Sequence, residues 1–327
     1  MNSNLGPERL DTAVERSLLE GHDGRSGARL ERVRLADGTR LVVKRSRASA
    51  DLAMRLSGDR EGRELQLWLS GVLDRLPAKV GHAVVAGWRE DEDVVVVMRD
   101  LGDAVIGWDT PIGRNECRRI FTAVTAMHNG FADQPIAGLC PLRTRLSLFA
   151  PRTLSSLPAD DHPLVRAALR GWERFAELVP SDVSDAVAAN HTDPVPLADA
   201  LVARGTTLTH GDLWLVNTAL QPDRTVLLDW GLATEAPGAV DFATFLMGAS
   251  AVNASRDDLV DDVRKIQGTE HDEIALLLAL LAAVVDLGWN KALDATEHRD
   301  PRIRDRETAE LSWWVGMARR ALDAGLL

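Results

Sequence analysis

Apolar and polar positions alternate with a period of two in two stretches near the start of the chain. Leu30 to Arg34 and Arg40 to Lys44 are separated by the turn pair Asp37-Gly38, so the spacing predicts an antiparallel hairpin with Lys44 near the end of its second strand. From Asp59 to Leu73 the apolar residues Leu65, Trp68, Leu69 and Val72 recur at helix spacing, and Pro77 closes the segment. His82 to Trp88 and Val94 to Met98 read as two further strands across the acidic turn Glu90 to Asp93. After Arg99 the period lengthens. Asn115 to His128 carries Cys117, Ile120, Phe121, Val124 and Met127 on one helical face, and Pro163 to Leu178 and Asp193 to Ala203 read as further helices. Residues 129–162 are Pro-rich and irregular, and residues 240–251, 270–290 and 305–325 form a terminal helical block. Thr207 to Ala233 differs from both patterns: two short apolar runs surround polar punctuation.

Composition narrows the classes. At 327 residues with 45% hydrophobic and 27% charged positions, the chain is long for one core and suits two lobes. The longest apolar run, Ile274 to Val285, is short for a bilayer span, and the first twelve residues lack the basic and apolar regions of a secretory signal. Two cysteines, Cys117 and Cys140, make no disulfide framework, so a reduced cytoplasm is expected. Residues 1–102 hold 17 basic and 17 acidic side chains, so the net charge of −11 sits entirely in residues 103–327. That disfavours a nucleic-acid partner, and no membrane partner is expected. An acidic second half is compatible with a cationic ligand, with Asp182, Asp185, Asp257, Asp258, Asp261 and Asp262 as candidates; a solvated helix face explains them equally well.

The chemistry concentrates in Leu208 to Asn217, LTHGDLWLVN, followed by Leu227-Leu228-Asp229-Trp230-Gly231. Asp212 precedes Asn217 by five residues, and Asp229 ends the next apolar run. Phosphoryl transfer from a Mg-nucleotide needs one carboxylate at the attacking hydroxyl, and a second carboxylate with an amide oxygen to hold the metal against the phosphates.

His-Gly-Asp, Asn at this offset and Asp-Trp-Gly after an apolar strand resemble the aminoglycoside phosphotransferase and choline-kinase family of protein-kinase-like enzymes. The wording His-Gly-Asp-Leu-Trp is also similar to the fructosamine-kinase branch. The resemblance implies an α+β bilobal fold, with residues 1–101 as a nucleotide lobe built on a small antiparallel sheet and residues 102–327 as a helical lobe. It implies Asp212 as catalytic base, Asn217 and Asp229 as Mg²⁺ ligands, and His210 as a structural holder of the loop. Lys44 would grip the α- and β-phosphates of ATP or GTP. Its partner would be Glu64, with Glu61 one turn earlier as the competitor. Ser26 and Gly27 would lie over the nucleotide, Met98 behind the purine, and the backbone at Asp100 and Leu101 on the adenine edge. His128 and Asp241 would be packed structural residues, with Val216 standing where many relatives carry Gly.

The implied reaction is transfer of a γ-phosphoryl group to a hydroxyl of a small-molecule acceptor by a monomer or homodimer. The acidic helical lobe points to an aminoglycoside-like antibiotic or amino sugar, and so to antibiotic resistance. A fructosamine or sugar kinase, or a non-catalytic nucleotide-binding regulatory module, stands as the alternative. His162, His191, His271 and His298 lack metal-ligand spacing and read as surface or loop residues. Nine Trp against no Tyr is unusual; most read as core, and Trp214, Trp230, Trp289, Trp313 and Trp314 are candidates for lining a site.

Overall fold

The computed structural model describes residues 5–19, 27–108, 110–157 and 162–326. The first part runs α1 (Pro7–Asp11), β1 (Glu15–Leu18), β2 (Arg29–Arg34), β3 (Arg40–Arg47), α2 (Leu52–Ser57), α3 (Arg63–Leu69), β4 (Val80–His82), β5 (Val84–Glu90) and β6 (Asp93–Arg99). Helices α4 (Arg114–Phe131), α5 (Leu142–Leu146), α6 (Pro151–Leu154), α7 (Pro163–Leu178), α8 (Ser181–Thr192) and α9 (Val195–Val202) follow. Strands β7 (Thr207–Thr209), β8 (Thr218–Leu220), β9 (Thr225–Leu227) and β10 (Thr234–Ala236) come next, and α10 (Ala239–Gly248), α11 (Arg256–Gln267), α12 (Glu273–Glu297) and α13 (Pro301–Asp323) close the chain. The result is an α+β fold in which a five-stranded antiparallel sheet, ordered β1-β2-β3-β6-β5, precedes a mostly helical remainder.

Alternation along β3 decides what each sheet face does. Leu41 and Val43 are buried in a small outer core with Leu10, Val33, Val95 and Val97, while Val42 and Lys44 face the other way, into a cleft. The hairpin turn forms where Asp37-Gly38 predicts it, with Gly38 at φ 85° and Leu35 N–H donating to the Thr39 carbonyl at 2.9 Å.

Several elements differ from the sequence expectation. The helix expected from Asp59 to Leu73 is the shorter α3, which starts only after Gly62, and an unexpected short helix, α2, precedes it and ends at Gly58; both glycines are in the left-handed region. Gly62 also lies so close to β6 that a Cβ would stand 2.5 Å from the Val94 side chain. The strand expected from His82 divides at Ala83: β4 pairs in parallel with β9 in a second sheet, and β5 stays in the first. β1, exposed throughout, carries no alternation to announce it. α8 was not legible either, because it buries only Val183, Val187 and Asn190 among small and polar residues. His191 is not a surface residue: its ring packs against Trp172 with centroids 4.4 Å apart and its Nε2 meets the Val285 carbonyl.

The terminal block packs around α12. This helix is long and apolar enough to cross a membrane by length and composition, but 78% of its apolar window is buried inside the protein. It crosses α7 at Gly171, where a Cβ would lie 2.4 Å from the Trp289 carbonyl.

The loop after β7 is held from behind. Asp241, in the first turn of α10, accepts from His210 N–H at 2.8 Å and from Gly211 N–H at 2.9 Å, and its Oδ2 also meets His128 Nε2 at 3.0 Å. Burial opposes ionisation of this carboxyl, but the hydrogen bond and charge of His128, with His210, hold it below the usual carboxylate range.

Two predictions follow from this packing. Gly171→Ala should destabilise the protein by about 1–3 kcal/mol through overpacking, whereas Gly316→Ala, in an open helical position, should stabilise it by about 0.5–1 kcal/mol; thermal melts of the two variants measure the contrast. Asp241→Asn turns an amide N–H toward a backbone donor and should cost about 1–3 kcal/mol at pH 7. Because the folded carboxyl titrates below its unfolded value of about 3.9, its contribution is full above that pH and fades as pH falls below it. The gap between wild type and Asp241→Asn in urea denaturation should therefore narrow below about pH 4.

Candidate active site

The two sequence segments that carry the chemistry meet at the floor of a cleft of about 1380 Å³ between the sheet and the helices. β9 ends at Leu227 and the chain turns sharply, with Asp229 in the left-handed region at φ 60°, ψ 72°. Asp tolerates this conformation better than most residues, but it is strained, and it brings the carboxylate into the cleft with 44% of its side chain exposed. Lys44 Nζ meets Asp229 Oδ1 at 2.7 Å and Glu64 Oε2 at 3.2 Å. The sequence left Glu64 and Glu61 open; Glu61 instead pairs with Arg89 on the surface at 2.5 Å.

Electrostatics follow from this contact. Burial opposes the charge on Lys44, but Asp229 and Glu64 outweigh it and raise its pKa. The same pairing works on Asp229: burial opposes its ionisation, and the Lys44 charge and hydrogen bond hold it below the usual range. Asp212 moves the other way. Burial pushes its carboxyl up; Arg145 opposes that, and Asp229 and Asp286 add to it.

Asn217 donates through Nδ2 both to the Asp212 backbone carbonyl and to Asp212 Oδ2, each at 2.9 Å. Both partners are acceptors, so the amide orientation is settled and its Oδ1 is left for another partner. An amide oxygen and an ionised carboxylate are hard donors of the kind Mg²⁺ takes, so Asn217 and Asp229 fit a magnesium ion. Glu64 Oε1, beside the oxygen that meets Lys44, is buried without a hydrogen-bond partner among the described residues.

His210 is fully buried, with Nε2 on the Leu228 carbonyl at 2.9 Å and its ring edge-on to Trp230, so it ties the two segments together. Gly211 has φ 77°, and a Cβ there would lie 1.9 Å from the Leu232 carbonyl; only glycine fits.

The remaining expected residues divide. Met98 lines the cleft on β6. Asp100 spends its backbone N–H on the Arg40 carbonyl at 3.2 Å and its carboxylate on Arg32 at 2.8 Å, while Leu101 N–H has no backbone partner among the described residues. Ser26 lies outside the described residues. Gly27 packs toward the Ala50 carbonyl, and its neighbour Ala28 lines the cleft. Of the five Trp singled out, Trp214 and Trp289 line the cleft, with Trp108 set edge-on to Trp214 at 5.9 Å; Trp230 and Trp314 are fully buried. None of the six acidic candidates lines it: Asp182 pairs with Arg319, Asp258 and Asp262 with Arg114, Asp261 with Arg264, and Asp257 accepts from Trp313.

Sequence reasoning missed two buried arginines that line the cleft. Arg63 donates from Nε to the Gly138 carbonyl at 2.9 Å and from Nη1 to the Gly231 carbonyl. Arg145 donates from Nε to the Gly211 carbonyl at 2.7 Å and from Nη1 to Asp286. One signal was available: Asp286 is a lone carboxylate inside the apolar run of α12, and a buried carboxylate requires a partner.

Comparison with known proteins bears on the fold and the family. The fold resembles an aminoglycoside phosphotransferase of Alicyclobacillus acidocaldarius (14% identity, TM-score 0.54, covering 100% of this chain and 98% of that one). It resembles choline kinase LicA of Streptococcus pneumoniae (11% identity, TM-score 0.57, 93% and 94%). A third is an aminoglycoside phosphotransferase of Streptomyces rimosus in complex with ADP and streptomycin (17% identity, TM-score 0.50, 81% and 94%). No curated protein matches the chain. Residues 22–277, well over half of the chain and including Lys44, Glu64, Asp212, Asn217 and Asp229, match the family model; the chain belongs to the phosphotransferase enzyme family.

Proposed function

We propose that this protein is a small-molecule kinase that moves the γ-phosphoryl group of ATP or GTP to a hydroxyl of its acceptor. The observation that carries this reading is Lys44 bridging Glu64 and Asp229 in the same cleft where Asn217 is bonded to Asp212. Residues 1–101 serve as the nucleotide lobe and residues 102–327 as the catalytic and acceptor lobe. Lys44, oriented by Glu64, binds the phosphates, with Met98 and the Leu101 N–H at the base. Asn217 and Asp229 hold Mg²⁺, which when bound neutralises charge on the phosphates.

Asp212 orients the acceptor hydroxyl and takes up its proton as the new O–P bond forms. The bond from the γ-phosphorus to the bridging oxygen breaks, and the nucleoside diphosphate leaves. The upward push on Asp212 from burial makes it a stronger base than an exposed carboxylate. Positioning and charge neutralisation supply most of the catalysis.

The acceptor end of the cleft combines Trp108, Trp214 and Trp289 with Ser250, Asn290 and the buried Lys291–Glu307 pair. Aromatic walls with scattered polar groups suit a ring-bearing polyhydroxylated acceptor, and an aminoglycoside-like antibiotic or amino sugar is the class we propose first. The acidic surface of the helical part does not enter this reading, because none of those six carboxylates lines the cleft. Both cysteines are buried thiols, and burial pushes Cys117 up to about 12, which suits an inert thiol in a reduced cytoplasm.

The test is nucleotide consumption with Mg²⁺ and a panel of aminoglycosides, other antibiotics, amino sugars, sugars and choline. One acceptor should raise turnover, and Asp212→Ala should lower kcat by about 10²–10⁴-fold while Mg-ADP still binds. Lys44→Met should weaken Mg-ADP binding. A wild-type protein that binds no Mg-nucleotide in calorimetry would overturn the reading.

A further inference from the structure

Three glycine carbonyls accept from two arginines that line the cleft: Gly211 immediately before Asp212, Gly231 two residues after Asp229, and Gly138 in the loop before α5. Glycine backbone has the widest rotational freedom, so the direction of these carbonyls is not set by local sterics. Each one accepts from a buried guanidinium instead. Arg63 spans Gly138 and Gly231 with two different nitrogens, and Arg145 spans Gly211 and the Asp286 carboxylate. Both side chains line the cleft, at 6% and 4% relative exposure.

Their mountings are distinct. Arg63 stands on α3 directly before Glu64, and Asp59 pins the start of that helix by accepting from Gly62 N–H at 2.9 Å and Arg63 N–H at 2.7 Å. It therefore joins the helix that orients Lys44 to the turn that carries Asp229. Arg145 stands on α5 and joins the Asp212 loop to α12, the helix that also brings Trp289, Asn290 and Lys291 to the acceptor end.

Resting on the phosphotransfer reading above, we propose that Arg63 and Arg145 are two separate positioning residues. Arg63 sets Asp229 and the nucleotide half of the site, and Arg145 sets Asp212 and the acceptor half. The planar guanidinium fork is what this requires. A lysine ammonium on a flexible stem does not hold two acceptors in a fixed mutual geometry.

The experiment compares Arg63→Met, Arg63→Lys, Arg145→Met and Arg145→Lys with wild type. Mg-ADP and metal-free ADP binding are measured by calorimetry, steady-state kinetics with the working acceptor follow, and thermal melts report folding. Arg63→Met should weaken Mg-ADP binding about tenfold or more, should abolish most of the gain that Mg²⁺ gives over metal-free ADP, and should leave the acceptor KM within about twofold. Arg145→Met should keep Mg-ADP affinity within about twofold and lower kcat about a hundredfold. The lysine variants should resemble the methionine variants. If all variants lose activity and both affinities together, in step with loss of folded protein, the side chains are structural and the proposal falls. It falls equally if lysine restores wild-type values at either position. A wild type that binds no Mg-ADP removes the phosphotransfer reading itself, an outcome distinct from an unsplit set of variants.

Discussion

One buried ammonium group holds the site together. Lys44 Nζ joins the middle of the sheet to α3 and to a turn 185 residues further along the chain. Lys44 and Glu64 are largely withdrawn from solvent, and neither charge is at ease there alone. Removing one member leaves the others uncompensated, which costs far more than the intact set contributes. The contact is therefore a constraint as much as an attraction: β3, α3 and the Asp229 turn take their relative places because these three side chains must meet. Strain at Asp229 is tolerated for the same reason. The left-handed backbone is what directs its carboxylate at Lys44.

The same logic recurs in the backbone. The loops bearing Asp212 and Asp229 touch so closely that only glycine fits at position 211. That closeness removes side-chain packing as a means of fixing the loops, so hydrogen bonds do it. Asp241 takes the N–H groups of His210 and Gly211 from behind, and His210 reaches the Leu228 carbonyl. Arg145 and Arg63 take the carbonyls of Gly211 and Gly231. Each of these holders is buried and ionic or imidazole, and each is mounted on a different helix or loop.

Net charge proved a poor guide to the cleft. The acidic excess of residues 103–327 is spread into surface pairs such as Asp182 with Arg319 and Asp261 with Arg264, where solvent screens it. The charges that matter to the site are few and face or flank the cleft: Lys44, Glu64, Asp212, Asp229, and the buried pairs Arg145–Asp286 and Lys291–Glu307. A count of Asp and Glu along the chain cannot separate these two populations, because burial is a property of the fold.

By itself the sequence determined the hairpin around Asp37-Gly38 with Lys44 near the end of its second strand, and its spaced motifs carried the resemblance that implied the α+β class and singled out Asp212, Asn217 and Asp229. These are local: a two-residue period, a turn pair and a fixed spacing are all written within a few residues of one another. Tertiary structure alone decided the rest. It chose Glu64 over Glu61, because the two lie three residues apart on the chain and only the orientation of α3 sends one to Lys44 and the other to Arg89. It divided the strand at Ala83 between two sheets, since β9, the partner of β4, is supplied from far along the chain. It made Arg63 and Arg145 interior residues, although an arginine in a short helix ordinarily reads as a solvated charge. The physical reason is common to all three: a long-range partner changes the free energy of a side chain without leaving any mark in the residues beside it.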